Sequence, residues 1–352
     1  MTRTNNLDFL RFFAASIVVF GHGQAIAGFP QTQILGGSIS VIGVMIFFTI
    51  SGYLITESWE RQNSLPIYLA NRSLRIFPAL VLVTILTAFL LGPAVTSLSI
   101  SDYFRNENFL PFLRNTALYT TYFLPGVFGS NPIQHAVNGS LWSLAPEFFC
   151  YLIVAGVGLV LPRTKIPAYT LIFVLLAAAC FYAPSYKGPQ IVVYATDVFQ
   201  AASVMVYFMI GAIVRLAKIP LKPSMALALC ALYFIIFPTS SPYINLAFVW
   251  VFISYLGLTI GFMSTPILRS WGRYGDLSYG IYLYSFPIQQ AIAHFSSRLE
   301  SPLGLIVLSY ALSIIMAFLS WHLVEKVALR FKPKRRTVTS STAESPAPVN
   351  LA

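Results

Sequence analysis

Apolar residues run along this chain in blocks too long for the core of a soluble domain. Nearly continuous runs fall at 7–27, 34–56, 76–94, 141–161, 168–184, 190–214, 224–238, 244–265, 277–297 and 303–325. At about 1.5 Å per helical residue, runs of this length cross, or nearly cross, the roughly 30 Å of bilayer hydrocarbon. The pattern predicts an all-α polytopic transmembrane bundle of about ten spans. An eleventh apolar stretch, 109–129, is broken by Pro111, Arg114, Pro125, Gly126 and Gly129. It is expected to be re-entrant or interfacial. Non-helical backbone at membrane depth is tolerated only against protein or water, so this segment should line a cavity.

Composition agrees. The 352 residues are 57% hydrophobic and only 9% charged, where a soluble domain carries roughly 25%. A net charge of +11 raises nucleic acid as a partner. The basic residues, however, sit between the apolar runs and in the tail Lys332–Arg336, so membrane lipids and no nucleic acid are expected. If the N-terminus is cytoplasmic and 109–129 does not cross, 17 of the 22 Lys and Arg face inward. Only Arg105, Arg114, Lys187 and Arg298 fall outside, and Arg11 lies within the first run. Positive charge retained inside is the orienting rule. The expectation is a multi-pass protein of the cytoplasmic (inner) membrane with both termini cytoplasmic. It comprises a membrane domain at 1–332 and a disordered cytoplasmic tail at 333–352, where the chain becomes polar and rich in Pro, Ser and Thr. No internal repeat and no nucleotide-binding motif stands out. Cys150, Cys180 and Cys230 lack metal-type spacing, so no metal is expected. The N-terminus also has the outline of a signal peptide ending at Ala25–Gly28, but signal cores do not carry charges such as Asp8 and Arg11.

Those charges are the first sign of chemistry. The opening run, LDFLRFFAASIVVFGHG, holds Asp8, Arg11 and His22, and ionisable groups inside a membrane are functional candidates by default. Eleven residues separate Arg11 from His22, three turns plus some 20°. Both therefore project from one helix face, about 16–17 Å apart along the axis. Asp8 is one turn before Arg11 and placed to pair with it. Gly21 and Gly23 flank His22 and leave space beside its ring.

The residues around these charges resemble a known family. LDFLRFFAASIVVFGH, FFTISGYLIT (47–56), NRSLRIFP (71–78), NGSLWSLAPEFFCYL (138–152), GDLSYGIYLYSFPI (275–288) and WHLVEK (321–326) are similar, in order, to motifs of the acyltransferase 3 family of integral membrane O-acyltransferases. This chain resembles its stand-alone membrane form, without an appended esterase-like domain. The resemblance implies transfer of an acyl group, usually acetyl, from cytoplasmic acyl-CoA (acetyl-CoA) to a hydroxyl of an extracytoplasmic saccharide. His22 suits the general base that takes the hydroxyl proton, or else a transiently acylated nucleophile. Arg72 and Arg75, with Arg11 deeper, are expected to hold the CoA phosphates. Glu147, near the outer start of its span, is expected at the depth of His22, orienting the imidazole, holding sugar hydroxyls or pairing with Arg114. Asn138, Trp142 and Ser143 are candidate acceptor contacts. Tyr279, Tyr282 and Tyr284 read as packing or interfacial aromatics, Ser51–Gly52 as a close helix contact, and Glu325–Lys326 as a structural pair. Where the family often has histidine, Ser285 stands here. Two other readings compete: a polytopic transporter with buried ionisable groups, and an acyltransferase acting on a small molecule such as a macrolide or a lipid-linked oligosaccharide.

Overall fold

The computed structural model describes residues 5–62, 64–236, 241–296 and 301–333. Arg3, Arg298 and the tail from 334 onward, on which parts of the orientation and tail expectations rest, lie outside them. Ten helices stand where ten spans were expected: α1 Leu7–Ile26, α2 Ile39–Gln62, α3 Leu65–Leu86, α4 Leu144–Val160, α5 Lys165–Tyr182, α6 Val198–Leu216, α7 Pro223–Ile236, α8 Pro242–Phe262, α9 Ser278–Phe295 and α10 Pro302–Ser320. Eight of the ten are long and apolar enough to cross a bilayer, α3 continuing to Val95 and α10 to Phe331. The shorter α7 is apolar. α9 has the length, with 18 residues, but Tyr279, Tyr282, Tyr284, Gln289 and Gln290 lower its hydropathy. This is a polytopic helical bundle.

α3 begins eleven residues earlier than the apolar run at 76–94 suggests. Ser64 is extended at its N-cap and Pro66 follows in the first turn, a start signal in which the missing proline N–H costs nothing. Arg72 and Arg75 therefore lie inside a helix rather than in a connection before it. The stretch 109–129 forms a helical turn, Phe109–Phe112, and a 3-10 turn, Leu113–Ala117, and is otherwise irregular. It is not a spanning helix. Leu124, Val127 and Phe128 are fully buried, so its irregular backbone packs against protein, as the hydrocarbon environment demands. The chain then runs inward: Asn138 Nδ2 donates to the Leu283 carbonyl in α9 at 2.9 Å, and Tyr282 donates to Ser140 O at 2.7 Å.

A repeat invisible in the sequence organises the bundle. A two-residue hairpin (β1 Gln33–Ile34, β2 Gly37–Ser38) precedes α2, and a second (β3 Val192–Val193, β4 Thr196–Asp197) precedes α6. Gln33 pairs with Ser38 and Val192 with Asp197, so equivalent residues differ by 159. Both turns place two successive residues at positive φ, Leu35–Gly36 and Tyr194–Ala195, the backbone of a type I′ turn. At the same offset, Ile39 N donates to Thr32 O and Val198 N donates to Ile191 O, each at 2.9 Å. α2 and α6 cross at Gly52 and Gly211, again 159 apart. A Cβ on Gly52 would strike the Phe208 backbone, and one on Gly211 the Thr49 backbone. Further along, Arg215 of α6 reaches Glu60 at 3.3 Å and Glu57 at 3.8 Å, so the two helices run parallel. α1–β-hairpin–α2 and α5–β-hairpin–α6 are thus two copies of one unit, joined by the close contact that small residues permit between membrane helices. The positions matching Arg11 and His22 are Thr170 and Phe181.

Candidate functional site

The ionisable groups of α1 and α3 meet carboxylates from the far end of the chain. Asp8 Oδ1 lies 3.7 Å from Arg11 Nη1, and Arg11 Nη1 lies 3.8 Å from Asp276 Oδ2. The same Asp276 oxygen accepts from Arg75 Nη2. Asp276 sits just before α9, where its Oδ1 accepts from the Ser278 amide (3.3 Å) and hydroxyl; this fixes its direction. On its other side, Arg75 Nη1 lies 3.7 Å from Glu325 Oε2, and the guanidinium stands 5.8 Å from both the Tyr279 and Trp321 ring centres. Glu325 is 2% exposed and its Oε1 accepts from Ser320 at 3.1 Å. The expected pairing of Glu325 with Lys326 is thus replaced by one with Arg75. Successive helical residues point about 100° apart, and a π-turn at Trp321–Glu325 rotates Glu325 toward α3.

Arg11, Arg75, Ser51, Ser143, Glu147, Tyr151, Ser278, Tyr279 and Tyr282 line one cavity of about 100 Å3. By contrast with the expected placement, Glu147 shares this cavity with Arg11 and Arg75, and His22 is not among the lining residues. The reason is the path of residues 118–138, which packs into the bundle against α9 and starts α4 level with Ser51 rather than with His22. Ser51 Oγ donates to Glu147 Oε1 at 2.8 Å and Tyr151 OH to the same oxygen at 2.7 Å. One carboxylate oxygen is thereby held by two hydroxyls. Ser51 is a cavity residue as well as a neighbour of the Gly52 crossing. Tyr282, having donated to Ser140 O, accepts from Ser143 Oγ at 2.7 Å, and Tyr279 donates to Ile76 O at 2.9 Å. The tyrosines read as packing aromatics therefore form part of a hydroxyl-rich wall. Asn138 is spent on structure: besides Leu283 O, its Oδ1 accepts from Ser140 N at 3.1 Å. Trp142 packs half-buried against the main core and does not line the cavity. Arg114 stacks near Tyr119 at 5.8 Å, away from Glu147.

Arg72 differs from its neighbour one turn along. Among the described residues no carboxylate lies within 4 Å of it. Its Nη2 is 3.5 Å from Ser58 Oγ, its guanidinium is 6.0 Å from the Tyr68 ring centre, and its Nε is buried without a hydrogen-bond partner.

His22 stands apart, toward the other end of α1. Its Nδ1 is buried without a hydrogen-bond partner, and its ring meets Phe286 edge-on at 5.2 Å. The flanking glycines do not leave open space. A Cβ on Gly21 would press against Ile39 and Ser40, and one on Gly23 against Ile306 and Gln289. They let α2, α9 and α10 approach α1 closely on either side of His22 instead.

Ion pairs and hydroxyls gathered round a cavity in a helical membrane bundle mark an active protein rather than a passive anchor. The chain belongs to the acyltransferase 3 family, whose profile, described as an acyltransferase domain, matches residues 4–322. It is therefore a membrane acyltransferase. It is similar to the O-acetyl transferase of Shigella phage Sf6, 30% identical over 95% of this chain and 99% of that protein. It is also similar to nodulation protein 10 of Rhizobium leguminosarum bv. viciae, 30% identical over 93% of this chain and 94% of that protein. A third relative, the peptidoglycan O-acetyltransferase OatA of Listeria monocytogenes, is 28% identical over 81% of this chain and half of its own length. No solved structure matches.

Proposed function

We propose that the protein moves an acetyl group from acetyl-CoA on the cytoplasmic side to a hydroxyl of a cell-surface or secreted saccharide, with both chain termini cytoplasmic. The observation that carries this reading is His22: a membrane-depth imidazole with a buried, unpartnered nitrogen, on the helix whose other end presents Arg11 to the ion-pair cavity. A buried polar atom left unpaired costs about 1–3 kcal/mol, a cost sustained where a ligand supplies the partner. The adenosine phosphates of the donor remain at the inner side, near the first turns of α3. The pantetheine arm carries the thioester the roughly 16–17 Å toward His22. As general base, His22 takes the proton of the acceptor hydroxyl while the acceptor oxygen attacks the thioester carbonyl. The acyl–oxygen bond forms, the carbon–sulfur bond breaks, and the sulfur takes the proton back from His22 and leaves as the thiol. Similarity to an O-acetyl transferase and to a peptidoglycan O-acetyltransferase supports an O-linked product, and the second of these supports a glycan acceptor.

The test is consumption of acetyl-CoA by membranes containing the full chain, wild type against His22→Ala. Loss of about 10²-fold or more in rate is expected, the usual effect of removing a general base. Equal consumption by the variant would overturn the assignment of His22.

A further inference from the structure

The ion pairs decide which part of the donor the cavity accepts. Of its two arginines, Arg11 lies beside Asp8 and Asp276, and Arg75 beside Asp276 and Glu325. Glu147, held by Ser51 and Tyr151, shares the same space. Both guanidinium groups are thus flanked by carboxylates outside the lining, and Glu147 adds a carboxylate to the lining itself. A phosphate entering here would meet guanidinium groups already compensated, and its repulsion from the carboxylates would be strengthened by the low dielectric of the surroundings. Arginine anchors phosphate when its fork of donors is available. Here Arg75 Nη2 donates to Asp276, Arg11 Nη1 stands 3.7–3.8 Å from Asp8 and Asp276, and Asp276 is itself locked at the start of α9. The remaining wall consists of hydroxyls (Ser143, Tyr279, Tyr282) and apolar side chains (Val44, Phe47, Leu54). Such a lining matches an uncharged chain of amides and methylenes. Arg72 is the opposite case, with no carboxylate within 4 Å among the described residues and a buried Nε lacking a partner, one turn closer to the α2–α3 connection.

Resting on the reading that the donor is an acyl-CoA, we propose a division of labour. The cavity between Arg11 and Glu147 binds the uncharged pantetheine arm, its arginines serving as a self-neutralised polar wall, while Arg72 meets the phosphorylated head. This replaces the expected three-arginine phosphate anchor with a single one.

The experiment compares acetyl-CoA with acetyl-pantetheine, which lacks every phosphate, as donors for the full chain in membrane vesicles. The readout is the ratio of the two kcat/KM values. Arg72→Gln should lower that ratio about tenfold or more, the worth of a charge-assisted contact. Arg11→Gln should weaken both donors alike and leave the ratio within about threefold of wild type. If Arg11→Gln fails to fold, Ser51→Ala and Ser143→Ala, which remove hydroxyls and no charge, carry the same expectation. If acetyl-pantetheine proves too poor a donor, competition against acetyl-CoA by 3′-phosphoadenosine diphosphate gives the equivalent comparison: Arg72→Gln weakens it about tenfold, Arg11→Gln does not. The inference is overturned if a cavity variant shifts the ratio as far as Arg72→Gln, or if Arg72→Gln leaves it unchanged. A wild type that uses neither thioester instead overturns the acyl-CoA reading itself.

Discussion

Replacing Arg75 by methionine separates a structural arginine from a phosphate anchor. Arg75 compensates Asp276, which is fixed by the start of α9, and Glu325, which is 2% exposed. Methionine preserves most of the volume but leaves Glu325 without the Arg75 cation and takes one of its cations from Asp276, which still has Arg11 at 3.8 Å. Removing one partner from a buried ion pair costs about 3–5 kcal/mol, because the abandoned charge dominates the loss. The protein should therefore unfold in detergent at a lower temperature than wild type, without ligand present. The second substitution tests the cause. Glu325→Gln removes one stranded charge, so in the Arg75→Met background it should restore stability by about 1–3 kcal/mol relative to the sum of the single effects, the usual coupling for residues in contact. The assay is thermal unfolding of the four proteins of this cycle in the same detergent. An Arg75→Met protein as stable as wild type, or effects that simply add, would refute the claim that Arg75 belongs to an internal charge network.

Three further outcomes follow from the same geometry. Gly52→Leu and Gly211→Leu each drive a side chain into backbone of the facing helix that cannot move aside like a side-chain tip; each should destabilise by at least about 2 kcal/mol, beyond the middle of the overpacking range, seen as a lower unfolding temperature. Leucine at Gly37, where a Cβ would meet nothing within 4 Å, should be far milder in the same measurement. Glu147→Gln keeps the shape of the side chain but removes the charge that two hydroxyls address; steady-state kinetics should show KM for acetyl-CoA rising several-fold, whereas an unchanged KM would detach Glu147 from the donor.

The number and placement of the helices were legible because membrane helices announce themselves by hydropathy alone. What hydropathy hid is equally physical. The first eleven residues of α3 are amphipathic and carry Arg72 and Arg75, which dilutes the apolar signal until the helix is half over. Glu147 was expected beside His22, but no periodicity records that the irregular segment before α4 brings that residue to Ser51 and Arg11 instead. Asp276 lies in a connection between apolar runs, although one of only 11 acidic residues in 352 is itself a signal in a chain this poor in charge. The repeat escaped because aligned positions share little beyond Pro30–Gln31 with Pro189–Gln190 and Gly52 with Gly211; turn geometry and a close helix crossing were kept while side chains diverged. The pairing of Arg75 with Glu325 joins α3 to the end of α10, a separation that spacing rules for a single helix cannot reach.

The most direct measurement is the O-acetyl content of the surface polysaccharide, by NMR, in cells producing the wild-type chain or His22→Ala at matched membrane levels. Signals present with wild type and absent with the variant are predicted. Equal O-acetylation in both would contradict the account at its centre.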